Sequence, residues 1–212
     1  MRYNMEYMNL LETIEYKDKS WWKMKEDGVF QMILTDWYES YGNFFCKYVK
    51  NKGVVVQAGG YCGINPRMFS ELFETVYTFE PDPMNFFCLT LNCQNDNVIK
   101  NQAALGKNHE MISVIRTHRE NKGMNKTYPL FGSNVPTFKI DDLKLTACDL
   151  IQLDVEGYET NILHGAVDVI SKFKPVITVE DTNEHIEDLL IGRFKYKQME
   201  TLNRDTVYVY EE

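Results

Sequence analysis

The sequence has little proline, few cysteines and no long apolar run. Six prolines in 212 residues exclude a proline-rich linker or polyproline segment. The five cysteines, Cys46, Cys62, Cys88, Cys93 and Cys148, are odd in number, and no C-x-x-C spacing occurs. That pattern argues against both a zinc site and a disulfide framework. The cysteines read as reduced, mostly buried thiols, with Cys62 a small apolar filler. No segment has the length and apolarity of a membrane span. The first eight residues lack the apolar core of a signal peptide, so the expected setting is cytoplasmic. Positive charge is also short: 23 Lys and Arg stand against 31 Asp and Glu, for a net charge of −8. A nucleic-acid partner is therefore not expected.

What is present is a hydrophobic content of 44%, enough for one substantial core. Residues 1–50 hold all three tryptophans, Trp21, Trp22 and Trp37. The spacing of Phe30, Ile33, Leu34 and Trp37, then of Phe44, Phe45, Tyr48 and Val49, predicts one or two helices. Residues 1–50 are thus expected to be an N-terminal helical cap on the sheet edge, or a lid giving aromatic walls to a pocket. Residues 51–212 are expected to be the main domain.

From Gly53 onward strands and helices alternate. A β-branched run at 54–56 predicts a buried strand. Gly59, Gly60 and Gly63 make a tight loop, and Asn65-Pro66 starts a helix. A second strand is expected at 76–80, followed by a helix capped by Asp82-Pro83. A third strand is expected at 98–105 and a shorter one at 111–117. Residues 118–136 read as a long loop whose Arg119, Lys122 and Lys126 suit a flap over a polar substrate. Further strands are expected at 149–154 and 175–180, each followed by a helix. The chain closes on a hairpin of residues 194–200 and 206–210, joined by Leu202-Asn-Arg-Asp205. This order implies an α/β fold, a mostly parallel sheet with helices on both faces and a terminal antiparallel hairpin.

Ligands of such sheets bind beyond the carboxyl ends of the strands. Gln57, Glu80, Asp154 and Glu180 all fall there, and their convergence points to an active site. The glycine loop with Glu80 about 20 residues on suits a nucleotide-like cofactor whose ribose meets the carboxylate. The first glycine of G-x-G-x-x-G is replaced by Ala58, and a terminal hairpin suits a methyltransferase sheet better than a dehydrogenase sheet.

A series of blocks carries a specific resemblance: Phe79-Glu-Pro-Asp-Pro83, Ala103-Ala-Leu-Gly106, Ile140-Asp-Asp-Leu143, Asp149-Leu-Ile-Gln-Leu-Asp-Val-Glu-Gly157, Leu163-His-Gly-Ala166 and Lys174-Pro175 through Glu180. In this order they resemble the FkbM-type family of S-adenosylmethionine-dependent methyltransferases over about residues 53–182. The resemblance implies a Rossmann-like methyltransferase fold and O-methylation of a hydroxyl on a small molecule or glycan. It places Gly59, Gly60 and Gly63 around the methionine part of S-adenosyl-L-methionine and Glu80 on the ribose hydroxyls. It places Gln102 and Ala103 along the adenine and Asp154 beside the sulfonium. Gln57 and Tyr61 stand where the family usually has Asp and Asn, and Gln57 would offer the cofactor's ammonium a neutral oxygen.

Candidate bases for the acceptor hydroxyl are Asp154, Glu156, Glu159, Glu180 and His164, with Asp154 first and Glu156 next. Asp154, Glu180 and Asp181 resemble the hard-oxygen Mg2+ site of some sugar O-methyltransferases. Two other readings stand beside this one. Gln57 and Tyr61 suit a non-catalytic cofactor-binding or interaction protein, and the glycine loop alone suits an NAD or nucleotide-sugar enzyme.

Overall fold

The computed structural model describes residues 7–116, 125–128 and 135–211. Its centre is a seven-stranded sheet. From the inside outward on one side run β3 (Val54–Ala58), β4 (Thr75–Phe79) and β5 (Val98–Asn101). On the other side β10 (Leu150–Leu153) pairs with β3, then come β11 (Val176–Glu180), β13 (Asp205–Tyr210) and β12 (Tyr196–Leu202). The five strands from β5 to β11 are parallel; β13 runs antiparallel to both of its neighbours. The expected α/β class and the terminal hairpin are both present.

The central strands read as near-continuous apolar runs because both faces are covered. One face, carrying Val56, Ile151, Leu153 and Ile177, packs with Ile162, Leu163 and Ile170 from α4 (Glu159–His164) and α5 (Val167–Phe173). The other, carrying Val55, Val76 and Leu150, packs with Phe45, Met68 and Phe69 from α1 (Tyr38–Cys46) and α2 (Ile64–Ser70). Asp149 fixes the start of the sheet: its Oδ2 accepts from the Gly53 and Val54 N–H groups at 3.1 and 2.8 Å. Asp82 caps α3 (Pro83–Asn92) as its sequence predicts, accepting from Met84 and Asn85 N–H.

The N-terminal segment is not purely the expected helical cap. Leu11–Tyr16 (β1) and Lys19–Met24 (β2) pair as an antiparallel hairpin, and the helical run from Phe30 to Cys46 follows it with a π turn at Ile33–Trp37. The spacing argument found the helices but not the hairpin, whose Trp21 and Trp22 alternate between the core and a partly exposed face. Asn92 docks it on α3. The amide Nδ2 donates to Trp22 O and Cys62 O, and Oδ1 accepts from Trp22 N–H, each at 2.7 Å. The Arg67 guanidinium covers the buried Trp21 ring at 4.1 Å.

Two further expectations change. Met111–Arg116 (β7) is not in the main sheet but in a four-stranded side sheet of order β6-β9-β7-β8. Its other members are Ala104–Leu105 (β6), Asn125–Tyr128 (β8) and Val135–Phe138 (β9), so the stretch expected to be one long loop carries strand. The flap residues Arg119 and Lys122 lie outside the described residues.

Gly59 has φ +85°, and a Cβ there would lie 1.7 Å from the Asp154 carbonyl oxygen. Both the left-handed backbone and the close approach of β3 to β10 demand glycine. Gly59→Ala is expected to cost about 3 kcal/mol or more of stability, measured by chemical denaturation. An unchanged unfolding midpoint would contradict this packing.

Candidate active site

Strand order reverses between the parallel neighbours β3 and β10, and the crevice opens at their carboxyl ends. The Asp154 N–H donates to Ala58 O at 3.1 Å, which holds Gly59 and Asp154 side by side. Two cavities meet there and share Gly59, Glu80 and Asp154. The first is narrow and lined largely by Ala58, Phe79, Pro81, Ala104, Leu105 and Ile162. The second, about 220 Å³, is walled by Val29, Met32 and Ile33 from the N-terminal segment and floored by carboxylates.

Glu80 follows β4 directly and is buried. Its Oε2 accepts from Tyr61 N–H at 2.7 Å and its Oε1 from Asp82 N–H at 2.8 Å, with Asn85 Nδ2 at 3.4 Å. Burial pushes its carboxyl up to about 8 despite these donors. Tyr61, with φ +46°, turns its backbone to Glu80 and donates its hydroxyl to Asp27 Oδ2. Asp27 Oδ1 in turn accepts from Val29 and Phe30 N–H at 3.2 and 3.3 Å. One chain of hydrogen bonds therefore runs from Glu80 through the glycine loop to the wall of the second cavity.

The floor of that cavity holds Asp154, Glu156, Glu180 and Asp205, with Arg204 beside them. Arg204 Nη1 reaches Glu180 Oε1 at 2.9 Å and Nη2 lies 3.9 Å from Glu156 Oε2. Its Nε donates to Asp181 Oδ1 at 2.8 Å, and Nη2 bonds the other oxygen of the same carboxylate. Burial is the first cause of raised pKa at Asp154, Glu180 and Asp205; mutual repulsion is the next. Asp205 is pushed up to about 7. Burial and repulsion between neighbouring carboxylates raise both Asp154 and Glu180 above the ordinary carboxylate range.

The structure brings together Gly59, Glu80, Asp154, Glu156 and Glu180, but not every expected residue. Gln57 is fully buried in the sheet. Its Nε2 donates to Gly59 O at 2.8 Å and its Oε1 accepts from Thr78 Oγ1 at 2.5 Å, so it lines neither cavity. Gly60 and Gly63 are packing positions: a Cβ would meet Leu89 Cδ1 at 2.5 Å or Cys93 Sγ at 2.9 Å. The N–H groups of Gly59, Gly60, Tyr61 and Gly63 all donate within the protein, so the loop is a site of close backbone approach rather than an anion cradle. Gln102 is exposed and Ala103 is in the core; Ala104 and Leu105, next along, line the narrow cavity instead.

Among the other candidate bases, Glu159 caps its own turn, accepting from Val155 and Gly157 N–H at 3.1 and 3.2 Å, and His164 faces solvent. The Mg2+ trio also changes. Asp181 is turned to Arg204; the described carboxylates that converge, with oxygens within 4.8 Å, are Asp154, Glu156 and Glu180. Oxygen donors of this kind suit a hard cation. Here the Arg204 guanidinium already lies against two of the three, so the residues do not form a dedicated Mg2+ site.

Sequence reasoning missed Asp27, Tyr41, Arg204 and Asp205. The last two were within reach. An antiparallel strand beside β11 must begin where β11 ends, and Glu180 does pair with Asp205.

The sequence profile of the methyltransferase FkbM domain matches residues 68–209. No curated protein matches the chain. Among solved structures, methyltransferase FkbM from Methylobacillus flagellatus KT is similar at 20% identity, TM-score 0.54, over 80% of this chain and 48% of that one. The chain thus spans about half that protein's length. An rRNA methylase from Streptococcus thermophilus is similar at 10% identity, TM-score 0.51, over 81% and 95%. The protein in the complex of aTrm5 and tRNALeu is similar at 10% identity, TM-score 0.52, over 95% and 53%. At these identities the likenesses show a shared Rossmann-like methyltransferase fold. No helix among the described residues is long and apolar enough to cross a membrane.

A pH dependence follows from the buried carboxylates. Each has a folded pKa above its ordinary value, so between the two the folded chain binds more protons than the unfolded one. Stability must then fall as pH rises from 4.5 to about 8, the window set by Glu80, and across the similar window of Asp205. Thermal melts of the ligand-free protein are expected to show a falling Tm over that range, flatter in Glu180→Gln. A Tm that rises across it would contradict the burial argument.

Proposed function

The chain belongs to the FkbM methyltransferase family, and from that premise we propose that it is an S-adenosylmethionine-dependent O-methyltransferase acting on a hydroxyl of a small molecule or glycan. The observation that carries this reading is the juxtaposition of Gly59, Glu80 and Asp154 where the two cavities meet. When bound, S-adenosylmethionine supplies an electrophilic methyl group on a sulfonium. The narrow apolar cavity between Phe79, Leu105 and Ile162 suits a purine. Glu80 offers carboxylate oxygens to ribose hydroxyls at the strand end, with its position set by Tyr61, Asp82 and Asn85.

Asp154 is the proposed base. Burial and the neighbouring carboxylates raise its pKa, which makes it a better proton acceptor than an exposed aspartate. Glu156, held in the left-handed region at φ +56°, presents a second carboxylate to the same space. Arg204 fixes Glu180 and Glu156 in place beside Asp154. Residues 1–50 serve as the cap that closes the acceptor side, with residues 51–212 as the methyl-transfer domain.

The test is transfer of a labelled methyl group to a panel of hydroxylated acceptors. Asp154→Asn is expected to lower kcat by about 10²-fold or more, the range for loss of a general base, while donor binding stays within a few-fold. Full turnover by the variant would remove Asp154 from this role.

A further inference from the structure

The larger cavity is acidic beyond what the donor and the base need. Five of its lining residues are carboxylic, Glu80, Asp154, Glu156, Glu180 and Asp205, against the single cation Arg204. Glu80 and Asp154 are assigned above to the donor and the proton. Arg204 is half-exposed and already engages Asp181 through two nitrogens, with Glu180 and Glu156 at 2.9 and 3.9 Å. One guanidinium is thus spread over three carboxyl groups.

Asp205 follows Arg204 in the chain, but the ion pairs of that guanidinium go to Glu156, Glu180 and Asp181. Asp205 is 6% exposed and sits in register with Glu180 on the neighbouring strand. The Tyr41 hydroxyl bonds it from one side. Its Oδ1 accepts no hydrogen bond, and neither does Oε2 of Glu180. Buried carboxyl oxygens left without donors are costly, and in a cavity wall they are open to donors from a ligand. Both residues line the 220 Å³ cavity, whereas neither lines the narrow one assigned to the purine.

We propose that Asp205 and Glu180 bind a protonated amine of the methyl acceptor, so that the substrate class is an amino alcohol or amino sugar. An ammonium brings three N–H donors and a positive charge to two adjoining carboxyl groups. A neutral polyol brings donors without charge. A carboxylated or phosphorylated acceptor meets like charge and is excluded. The apolar wall of Val29, Met32 and Ile33 faces this floor and suits the carbon face of a ring. This inference rests on the O-methyltransferase reading for the acceptor's hydroxyl, but its binding test stands apart from turnover.

Glucosamine, glucose and glucuronate share a skeleton and differ in charge. Their binding is measured by ligand-observed NMR on the full chain saturated with S-adenosylhomocysteine, so that the cofactor's own ammonium is already in place. Glucosamine is expected to bind about tenfold or more tighter than glucose, with glucuronate weakest, as for a charge-assisted contact. The preference should shrink toward unity in Asp205→Asn and in Glu180→Gln, with S-adenosylhomocysteine affinity unchanged. Equal binding of the three sugars, no binding of glucosamine, or a preference kept in both variants would overturn the proposal. So would loss of S-adenosylhomocysteine binding in Asp205→Asn with the fold intact, since the corner would then serve the cofactor. A preference for glucuronate that appears with added Mg2+ would also overturn it, in favour of a metal at the floor. An amine preference without methyl transfer to any acceptor would leave this inference standing and remove the O-methyl reading.

Discussion

The site depends on one buried carboxylate, Glu80. Its oxygens take the Tyr61 and Asp82 N–H groups, and those two donors belong to the glycine loop and to the cap of α3. A charged group at this depth is unfavourable by itself, as its raised pKa records. The fold accepts it because three protein donors surround it and because it opens on the crevice between β3 and β10. Remove the carboxylate and Tyr61 loses the partner that holds its backbone in the left-handed region. The hydroxyl of the same residue then no longer has a fixed line to Asp27. The wall of the larger cavity is thus coupled to the narrow one through a single side chain.

The second constraint is the excess of acid along the strand ends. Asp154, Glu180 and Asp205 end or begin adjacent strands, so the sheet itself forces them together. Repulsion among them is relieved partly by retained protons and partly by Arg204, which enters from the turn between β12 and β13. One row lower, Gln152 and Thr178 are fully buried, and the Gln152 amide and the Thr178 hydroxyl make no hydrogen bond. Strand ends built this way are poor for stability and well suited to proton transfer and cation binding. This fits the common observation that sites break the rules obeyed by cores.

Much of this was legible in the sequence. The apolar runs of β3, β10 and β11 and the Asp82-Pro83 cap announce themselves by local chemistry, and the ordered blocks from Glu80 to Glu180 identify the family. What stayed hidden depends on tertiary neighbours. Gln57 sits at a strand end on paper, but its side chain turns inward to Thr78. Ala103 and Ala104 differ only in which face of the chain meets the cavity, which no spacing argument decides in an irregular two-residue strand. The hairpin at Trp21 and Trp22 was masked by aromatic residues that suit helix and strand alike. Asp27 shows its role only when Tyr61 is seen to reach it across 34 positions of chain.

The most direct test of this account is calorimetric titration of S-adenosylmethionine, at a pH above the raised Glu80 pKa of about 8, into the wild-type chain and into Glu80→Gln, a change that keeps shape and there removes charge. If Glu80 is the node that receives the ribose, the variant stays folded and binds weaker by about 1.5–3 kcal/mol, the value of a hydrogen bond to a charged group. Unchanged affinity in the folded variant would contradict the account at its centre.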